Sequence, residues 1–389
     1  MDIFSLDKKY IANTYARFPL QIVKGKGSIA IDNNGKKYID FGSGIAVNTF
    51  GYSDKKWAKA VSKQAKTFQH TSNLYYHEKC TILAEKLCEK TGFKKVFFSN
   101  SGAEANECAI KVIRKYAELK QGKDCYKIIT LVNSFHGRTI TTLSATGQDV
   151  FHNDFLPLTD GFIHVKAGDF ESLENIVKTE KIAGVLMELV QGEGGVMPLD
   201  ENFVQKVEKL CKDNDVVLAI DEVQTGNGRT GSLYAYQGYN IKPDLITTAK
   251  GLGGGLPIGA TMLSEKVEDV LKAGMHGSTF GGNPVASAGA ISIIDRLDEK
   301  FLNSVKEKSN YIISNLSGEE GVIKVSGKGL MLGIETKKSA KEVALECLEK
   351  GLIVLTAKNK VRLLPPLNID YKTLKKGVEI LKSVIRDEL

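Results

Sequence analysis

The sequence predicts an α/β fold built on a mostly parallel β-sheet. Between about residues 95 and 265, short apolar runs alternate with longer segments of helical periodicity, a pattern typical of a parallel sheet covered by helices. Two charged residues, Asp221 and Lys250, follow closely on two of these runs. Because ligands bind beyond the carboxyl ends of parallel strands, both side chains are expected at one site.

Seven apolar runs are predicted as strands of this sheet: 95–99, 127–131, 161–165, 183–190, 216–220, 244–248 and 258–263. Helices are predicted at 102–120, 169–179 and 201–213. Near the N-terminus, Asn34-Gly35 in the run 31–37 predicts a hairpin. After about residue 295 the pattern becomes helix, short strands and helix. We therefore predict a large domain at 61–290 and a smaller α+β domain that combines segments 1–60 and 291–389.

Composition excludes several classes of protein. With 389 residues, 42% of them hydrophobic, the chain can bury a large core. No apolar run reaches 18 residues and the first ten residues lack an apolar signal region, so neither a membrane span nor export is expected. The net charge of +7 comes from interspersed charges, 53 basic against 46 acidic, without the basic stripe of a nucleic-acid-binding protein. Six scattered cysteines and six histidines show no metal-binding spacing, which predicts no metal and favours a cytoplasmic protein.

Lys250 and Asp221 are suited to one kind of chemistry. An amine forms an imine with an aldehyde, so Lys250 could anchor pyridoxal phosphate and later move a proton. Asp221 beside the pyridine nitrogen would keep that nitrogen protonated, which makes the ring a better electron sink. A solvated lysine and a helix-capping aspartate remain the alternatives at this point.

The segment 95–116 adds a candidate anion site. It reads as a strand, a polar turn and an amphipathic helix. The free amides near Ser101, Gly102 and Ala103 would bind an anion with help from the helix dipole. A plain capped helix fits the same residues.

The segment 133–139 adds candidate contacts to a ring and to a substrate. Phe135 could stack on an aromatic ring, and Arg138 could bind a carboxylate through two hydrogen bonds. Taken alone, these residues favour a core phenylalanine and a surface arginine.

Several motifs occur in a fixed order along the chain: Asn-Thr-Tyr-Ala-Arg-Phe-Pro-Leu (13–20), Phe-Gly-Ser-Gly-Ile-Ala-Val-Asn (41–48), Ser-Asn-Ser-Gly-Ala-Glu-Ala-Asn-Glu (99–107), Ser-Phe-His-Gly-Arg-Thr (134–139), Val-Gln-Gly-Glu-Gly-Gly (190–195), Asp-Glu-Val-Gln-Thr-Gly-Asn-Gly-Arg-Thr-Gly (221–231), Asp-Leu-Ile-Thr-Thr-Ala-Lys-Gly-Leu-Gly-Gly-Gly (244–255, which contains Lys250) and His-Gly-Ser-Thr-Phe-Gly-Gly-Asn-Pro (276–284). Over nearly its whole length the chain thus resembles the class III, fold-type I pyridoxal-phosphate aminotransferases. It departs from their usual pattern at Gly-Tyr-Ser-Asp (51–54) and at Glu-Leu-Val-Gln (188–191), where Gly-His-Pro and Glu-Pro-Val-Gln are usual.

The resemblance implies a role for each matching residue. Lys250 would carry pyridoxal 5′-phosphate, Asp221 would face the ring nitrogen, and Gln224 would bind the ring hydroxyl. The full set of implied cofactor-binding residues is Gly102, Ala103, Phe135, Asp221, Glu222, Val223, Gln224, Lys250 and the partner subunit's Thr279. The implied substrate-binding residues are Arg138, Ser278, Glu193 and Arg362. Because Thr279 would cross between subunits, the resemblance also implies a homodimer with shared active sites.

Glu193 and Arg362 would form a gate. In the enzymes that the chain resembles, such a glutamate covers the arginine while an amine donor binds and exposes it to a carboxylate of 2-oxoglutarate. The likeness is greatest to enzymes acting on N-acetylornithine, which implies N-acetylornithine, 2-oxoglutarate and glutamate as substrates. Other ω-amines (succinyl-diaminopimelate, succinylornithine, ornithine, 4-aminobutyrate), an aminomutase or racemase, and a catalytically silent homologue are the alternatives.

Overall fold

The computed structural model describes residues 2–386. Within them the chain forms these strands: β1 (Ile22–Lys26), β2 (Ile29–Asp32), β3 (Lys37–Asp40), β4 (Lys95–Ser99), β5 (Lys127–Leu131), β6 (Phe162–Val165), β7 (Ile182–Met187), β8 (Val190–Gln191), β9 (Met197–Pro198), β10 (Val217–Asp221), β11 (Leu245–Thr248), β12 (Gly259–Leu263), β13 (Val322–Lys328), β14 (Met331–Thr336), β15 (Leu352–Ile353), β16 (Leu355–Ala357) and β17 (Lys360–Leu363).

The helices lie mostly between these strands: α1 (Ile3–Tyr10), α2 (Ser43–Ala46, a single turn with positive φ angles), α3 (Lys55–Thr67), α4 (Glu78–Thr91), α5 (Gly102–Gln121), α6 (Ile140–Ala145), α7 (Phe170–Thr179), α8 (Glu201–Asp213), α9 (Ala235–Gly238), α10 (Pro284–Ile294), α11 (Glu299–Leu316), α12 (Ala340–Glu349) and α13 (Tyr371–Arg386). Short 3₁₀ turns occur at Asp149–Phe151 and Lys250–Leu252. None of the helices in the described part of the chain combines the length and the apolarity that a membrane span requires.

The predicted α/β fold is confirmed by a seven-stranded sheet of order β4-β12-β11-β10-β7-β5-β6. All of its pairs are parallel except those of β12, which runs antiparallel to both neighbours. Every residue of β7 and β10 is buried, as expected for strands covered by helices on both faces. Six predicted strands agree with the structure to within one residue, whereas the predicted run 183–190 stops at Met187 because the chain turns out of the sheet there.

Helix α5 leads from this sheet into the site. Ser101 caps its N-terminus by accepting a hydrogen bond from the Glu104 amide, 3.2 Å away, which satisfies one of the otherwise free amides. Its buried residues recur at helical spacing and face the sheet: Ala105, Cys108, Ala109, Val112, Ile113 and Tyr116. Because this face packs on the sheet, the N-terminus of α5 is held at the carboxyl ends of the strands.

Segments near both ends of the chain form further sheets, separate from the seven-stranded one. The predicted hairpin is confirmed as β2 and β3, and β15 extends their sheet by pairing in parallel with β3. A four-stranded sheet of order β13-β14-β17-β16 lies in the C-terminal part. Phe41 packs in one apolar cluster with residues of this C-terminal part. The domain limits at 60 and 290 stay predictions, and residues 1 and 387–389 of the predicted segments lie outside the described residues.

Candidate active site

A cavity of about 460 Å³ lies beside the carboxyl ends of the parallel strands. Its walls come from α5, from the loop after β5 and from the segments that follow β10 and β11. Most of the predicted site residues line it: Gly102, Ala103, Phe135, Arg138, Asp221, Val223, Gln224 and Lys250. Segments separated along the sequence therefore meet at the predicted edge of the sheet.

Lys250 projects from the segment after β11. Its φ of +42° lies in the left-handed region, which is sparsely populated by residues other than glycine and is often found at functional sites. Burial lowers the pKa of the Lys250 amine, and nearby Glu193 partly offsets that effect. The lowered pKa favours the neutral amine, which is the nucleophilic form.

Asp221 ends β10 within a hydrogen-bond network. Its Oδ2 accepts from Asn106 Nδ2 at 2.7 Å and lies 2.8 Å from Nδ1 of His136. Its Oδ1 accepts from the Val223 amide at 3.0 Å. Asn106 is itself fixed by Thr247, whose hydroxyl donates to its Oδ1 at 2.7 Å. These contacts fix the direction of the Asp221 carboxylate.

The N-terminus of α5 forms one end of the cavity. The first amides of a helix have no partner within the helix, so those of Gly102 and Ala103 are available to an anion. A Cβ atom on Gly102 would lie 2.6 Å from Cγ1 of Val223. Only glycine therefore lets α5 and the segment after β10 approach this closely.

Arg138 lies at the open side of the cavity. Its guanidinium carbon is 5.5 Å from the ring centre of Phe135 and 4.4 Å from that of Phe151, a cation–π arrangement. The side chain remains exposed, so its donors are accessible to a carboxylate.

Arg362 and Glu193 form an ion pair beside the cavity. Arg362 Nη1 donates to Glu193 Oε1 at 2.6 Å and lies 3.4 Å from Oε1 of Gln224, which lines the cavity. Burial raises the pKa of Glu193, but Arg362, Lys250 and Gln224 together lower it by more, so the net pKa is lowered. Glu193 is therefore ionised near neutral pH and carries a charge opposite to that of the arginine.

Two buried glutamates differ from the sequence-based expectation. Glu222, predicted to contact the cofactor, turns away from the cavity and accepts hydrogen bonds from the Thr225 hydroxyl and, at 2.8 Å, from the Tyr236 amide. Side chains alternate along an extended segment, so Glu222 faces opposite to Asp221. Glu188 received no predicted role, yet it lines the cavity. Its signals in the sequence are its position as an acid directly after an apolar strand and its place in the Glu-Leu-Val-Gln motif.

Ser278 and Thr279 do not reach this cavity within one chain. They line a separate cavity with Asn100 and Glu104, and Thr279 is exposed. Ser278 Oγ accepts from Asn100 Nδ2 at 3.0 Å. Because Asn100 lines both cavities, the 278–279 loop lies just outside the active-site wall.

The family model for class-III aminotransferases matches residues 10–385. The chain belongs to the class III aminotransferases. It is 48% identical to the acetylornithine aminotransferase of Haemophilus ducreyi, over 99% of this chain and 98% of that protein. It also resembles the solved ornithine aminotransferase of Toxoplasma gondii, which contains pyridoxal phosphate at partial occupancy (31% identity, TM-score 0.93, covering 98% of this chain and 93% of that one). The N-acetylornithine aminotransferase of Stenotrophomonas maltophilia is similar too (33% identity, TM-score 0.86, covering 98% of each chain).

Pyridoxal 5′-phosphate is the cofactor of class III aminotransferases, and the cavity has the groups that it needs. Lys250 supplies an amine with a lowered pKa, and Asp221 supplies a buried carboxylate. The N-terminus of α5, at Gly102, supplies free helix amides for a phosphate, and Phe135 supplies an aromatic wall. Among the described residues, no cluster of histidine, cysteine or acidic side chains could hold a metal ion.

Proposed function

We propose that this aminotransferase moves the δ-amino group of N-acetylornithine to 2-oxoglutarate. The products would be N-acetylglutamate 5-semialdehyde and glutamate, a step of arginine biosynthesis. The observation that carries this proposal is the Arg362–Glu193 ion pair beside the cavity. It gives one pocket a second cation that can be covered for a monocarboxylate donor and uncovered for a dicarboxylate acceptor. The 48% identity to an acetylornithine aminotransferase supports the choice of donor.

The family resemblance implies each cofactor contact in this proposal. Lys250 would hold the cofactor through its amine, and Asp221 would face the ring nitrogen. Val223 and Phe135 would hold the ring between them, while Gln224 would bind the ring hydroxyl. The amides of Gly102 and Ala103 would bind the phosphate, as helix N-termini commonly do.

The bound cofactor supplies an electron-withdrawing ring that stabilises negative charge on the carbon next to the amino group. Asp221 would keep the ring nitrogen protonated, and its contacts with Asn106 and His136 fix the direction of its carboxylate. Lys250 Nζ accepts and returns the proton that the substrate carbon loses, and its lowered pKa suits that role near neutral pH.

Arg138 holds the carboxylate that lies away from the reacting carbon of each substrate: the α-carboxylate of N-acetylornithine, which reacts at Cδ, and the γ-carboxylate of glutamate, which reacts at Cα. N-Acetylornithine has no other carboxylate, so Glu193 can stay paired with Arg362 while this donor binds. 2-Oxoglutarate and glutamate carry a second carboxylate, which replaces Glu193 on Arg362. Arginine forms paired hydrogen bonds with a carboxylate, which makes this exchange specific.

A homodimer completes the site in this proposal. The exposed loop with Ser278 and Thr279 would reach the phosphate and substrate of a second copy. Exposed Leu74, Tyr75 and Tyr76 lie next to this loop, because Asn73 Nδ2 donates to the carbonyls of Ser278 and Gly281 at 3.0 and 3.1 Å. An exposed apolar patch of this kind supports an interface there. All six cysteines are free thiols, which supports a cytoplasmic location.

Ornithine is the second candidate donor, because the T. gondii ornithine aminotransferase has a closely similar fold. An aminomutase or racemase is disfavoured, since it would not need the Arg362–Glu193 pair to admit an outside 2-oxo acid. A catalytically silent homologue is disfavoured because Lys250, Asp221 and Phe135 are all present around one cavity.

A donor panel with 2-oxoglutarate tests the proposal. The expected order of kcat/KM places N-acetylornithine above N-succinylornithine, succinyl-diaminopimelate, ornithine and 4-aminobutyrate. A higher kcat/KM for ornithine or 4-aminobutyrate would replace the proposed donor. Absence of any cofactor absorbance change with all five donors would argue for a silent homologue.

A further inference from the structure

We propose that Glu188 is a positioning residue that fixes the Phe135–Arg138 loop and the 192–195 turn relative to each other. This inference deepens the proposed function and rests on it, since those two segments carry the proposed substrate contacts Arg138 and Glu193. Glu188 would set the distance between the two cations that receive the substrate carboxylates.

The carboxylate of Glu188 joins the two segments directly. Its Oε1 accepts from the Phe135 amide at 2.9 Å, and its Oε2 accepts from the Gly192 amide at 3.2 Å. The residue is only 5% exposed. A buried carboxylate is costly unless its oxygens are satisfied. Breaking the hydrogen bond to either the Phe135 amide or the Gly192 amide would therefore be unfavourable.

The two segments also pack on each other without space between them. A Cβ atom on Gly194 would lie 2.6 Å from the carbonyl oxygen of Asn133. Gln191 Nε2 donates to the Val132 carbonyl at 2.9 Å. Glu188 therefore lies beneath a seam at which the loop after β5 meets the turn after β8.

The seam continues to the second cation. A Cβ atom on Gly192 would lie 2.5 Å from Oε1 of Gln224, the same oxygen that lies 3.4 Å from Arg362 Nη1. A shift of Gly192 would thus move Gln224 and, through it, Arg362. One carboxylate is coupled in this way to Phe135 on one side and to Arg362 on the other.

Charges around Glu188 bear on its protonation. Burial and the charge of Asp221 raise its pKa, His136 and the two amides oppose this rise, and the net pKa is about 7. Lys250 also lies within electrostatic range. A protonated oxygen is a poorer acceptor, so ionisation of Glu188 strengthens both amide contacts.

The test compares Glu188→Gln and Glu188→Asp with the parent, each as the cofactor-loaded protein. Glutamine has one acceptor oxygen, so one of the two amides must lose its partner. Aspartate keeps the charge but is shorter, so it cannot reach both. In both variants we expect hydrogen exchange in segments 133–138 and 189–195 to become about tenfold faster. KM for N-acetylornithine and for glutamate should rise together by about tenfold, with a smaller change in kcat.

Glu222→Gln is the matched control, since Glu222 is equally buried and its pKa is likewise raised to about 7, yet it touches neither segment. It should lower Tm as Glu188→Gln does while exchange in both segments stays within about twofold of the parent. Unchanged exchange in both Glu188 variants would overturn the proposal. So would faster exchange with unchanged KM, because the contact would then be structural only. The exchange readout does not depend on which amine is the donor, so a failure of the proposed donor is seen separately.

Discussion

The carboxylate of Asp221 makes three hydrogen-bonding contacts at the end of a buried strand. Asn106 and His136 approach one oxygen, and the Val223 amide approaches the other. These contacts fix the direction of the carboxylate. A carboxylate held in this way can face a neighbouring ring nitrogen in a defined orientation.

Asp221→Asn should therefore slow both half-reactions on the order of a thousandfold, about 4 kcal/mol in transition-state stabilisation. The amide keeps the shape of the side chain but loses its charge. Single-turnover absorbance changes of the cofactor measure the effect with each substrate. A rate within a few-fold of the parent would mean that another group faces the ring nitrogen.

The chemically distinctive residues of the site could be predicted from the sequence. The residues that hydrogen-bond to them, or that fix the segments around them, could not. Lys250 and Asp221 could be predicted because a lysine and an acid at strand ends suit one cofactor. Asn106, His136 and Glu188 could not, because their roles depend on contacts between segments distant in sequence. The contact of His136 with Asp221 spans 85 positions, and no local pattern reports it.

Among the elements, β17 gives the gate its rigidity. It lies between β14 and β16, and Arg362 is paired with Gly333 on one side and Leu355 on the other. Hydrogen bonds on both sides fix the backbone at this position. The mobile member of the ion pair should therefore be Glu193, which lies in a turn rather than in a strand.

Arg362→Ala should slow the glutamate half-reaction at least about a hundredfold more than the N-acetylornithine half-reaction, since only glutamate needs the second cation. Single-turnover measurement of each half-reaction gives this ratio directly. Lys360→Met is the matched control, because it removes another buried cation from the same strand. Lys360 contacts Ser326 and Met197 rather than Glu193. Equal slowing of both halves by Arg362→Ala would refute the gate.

The elements themselves were largely predictable, since buried strands and amphipathic helices leave strong periodic patterns. The direction of β12 was not, because an apolar strand looks the same whether its neighbours run parallel or antiparallel. Nor could the end of β7 be placed, since the apolar run continues through Leu189 and Val190 after the chain has left the sheet. The close approach of Gly102 to Val223 likewise needs the assembled fold.

At the scale of the whole molecule, two of the proposed site residues lie on different surfaces of one chain. Lys250 lines the cavity, whereas Thr279 is exposed on the loop outside it. Lys250→Ala and Thr279→Ala should each be strongly impaired alone. Mixed and allowed to exchange subunits, they should regain up to about a quarter of parental activity, since half of the dimers are mixed and each has one intact site.

Heterodimers isolated with two different affinity tags should reach about half of parental activity, since every dimer then has one intact site, and mixing Lys250→Ala with itself provides the baseline. No recovery in verified heterodimers, despite strong impairment of Thr279→Ala alone, would count against a shared site. Recovery to the activity expected for one intact site per heterodimer would establish that both subunits contribute to each active centre.

The pairing of β15 with β3 has a consequence for synthesis on the ribosome. Lys36, beside β3, reaches the Glu349 carbonyl 313 positions later in the chain. At about 5–20 residues per second, translation needs on the order of 15 to 60 seconds to cover that distance. During that interval β3 lacks its β15 neighbour, and an unpaired strand edge invites pairing with other chains. The hairpin of β2 and β3 therefore emerges with an edge that stays open to mispairing until the C-terminal part of the chain has been made.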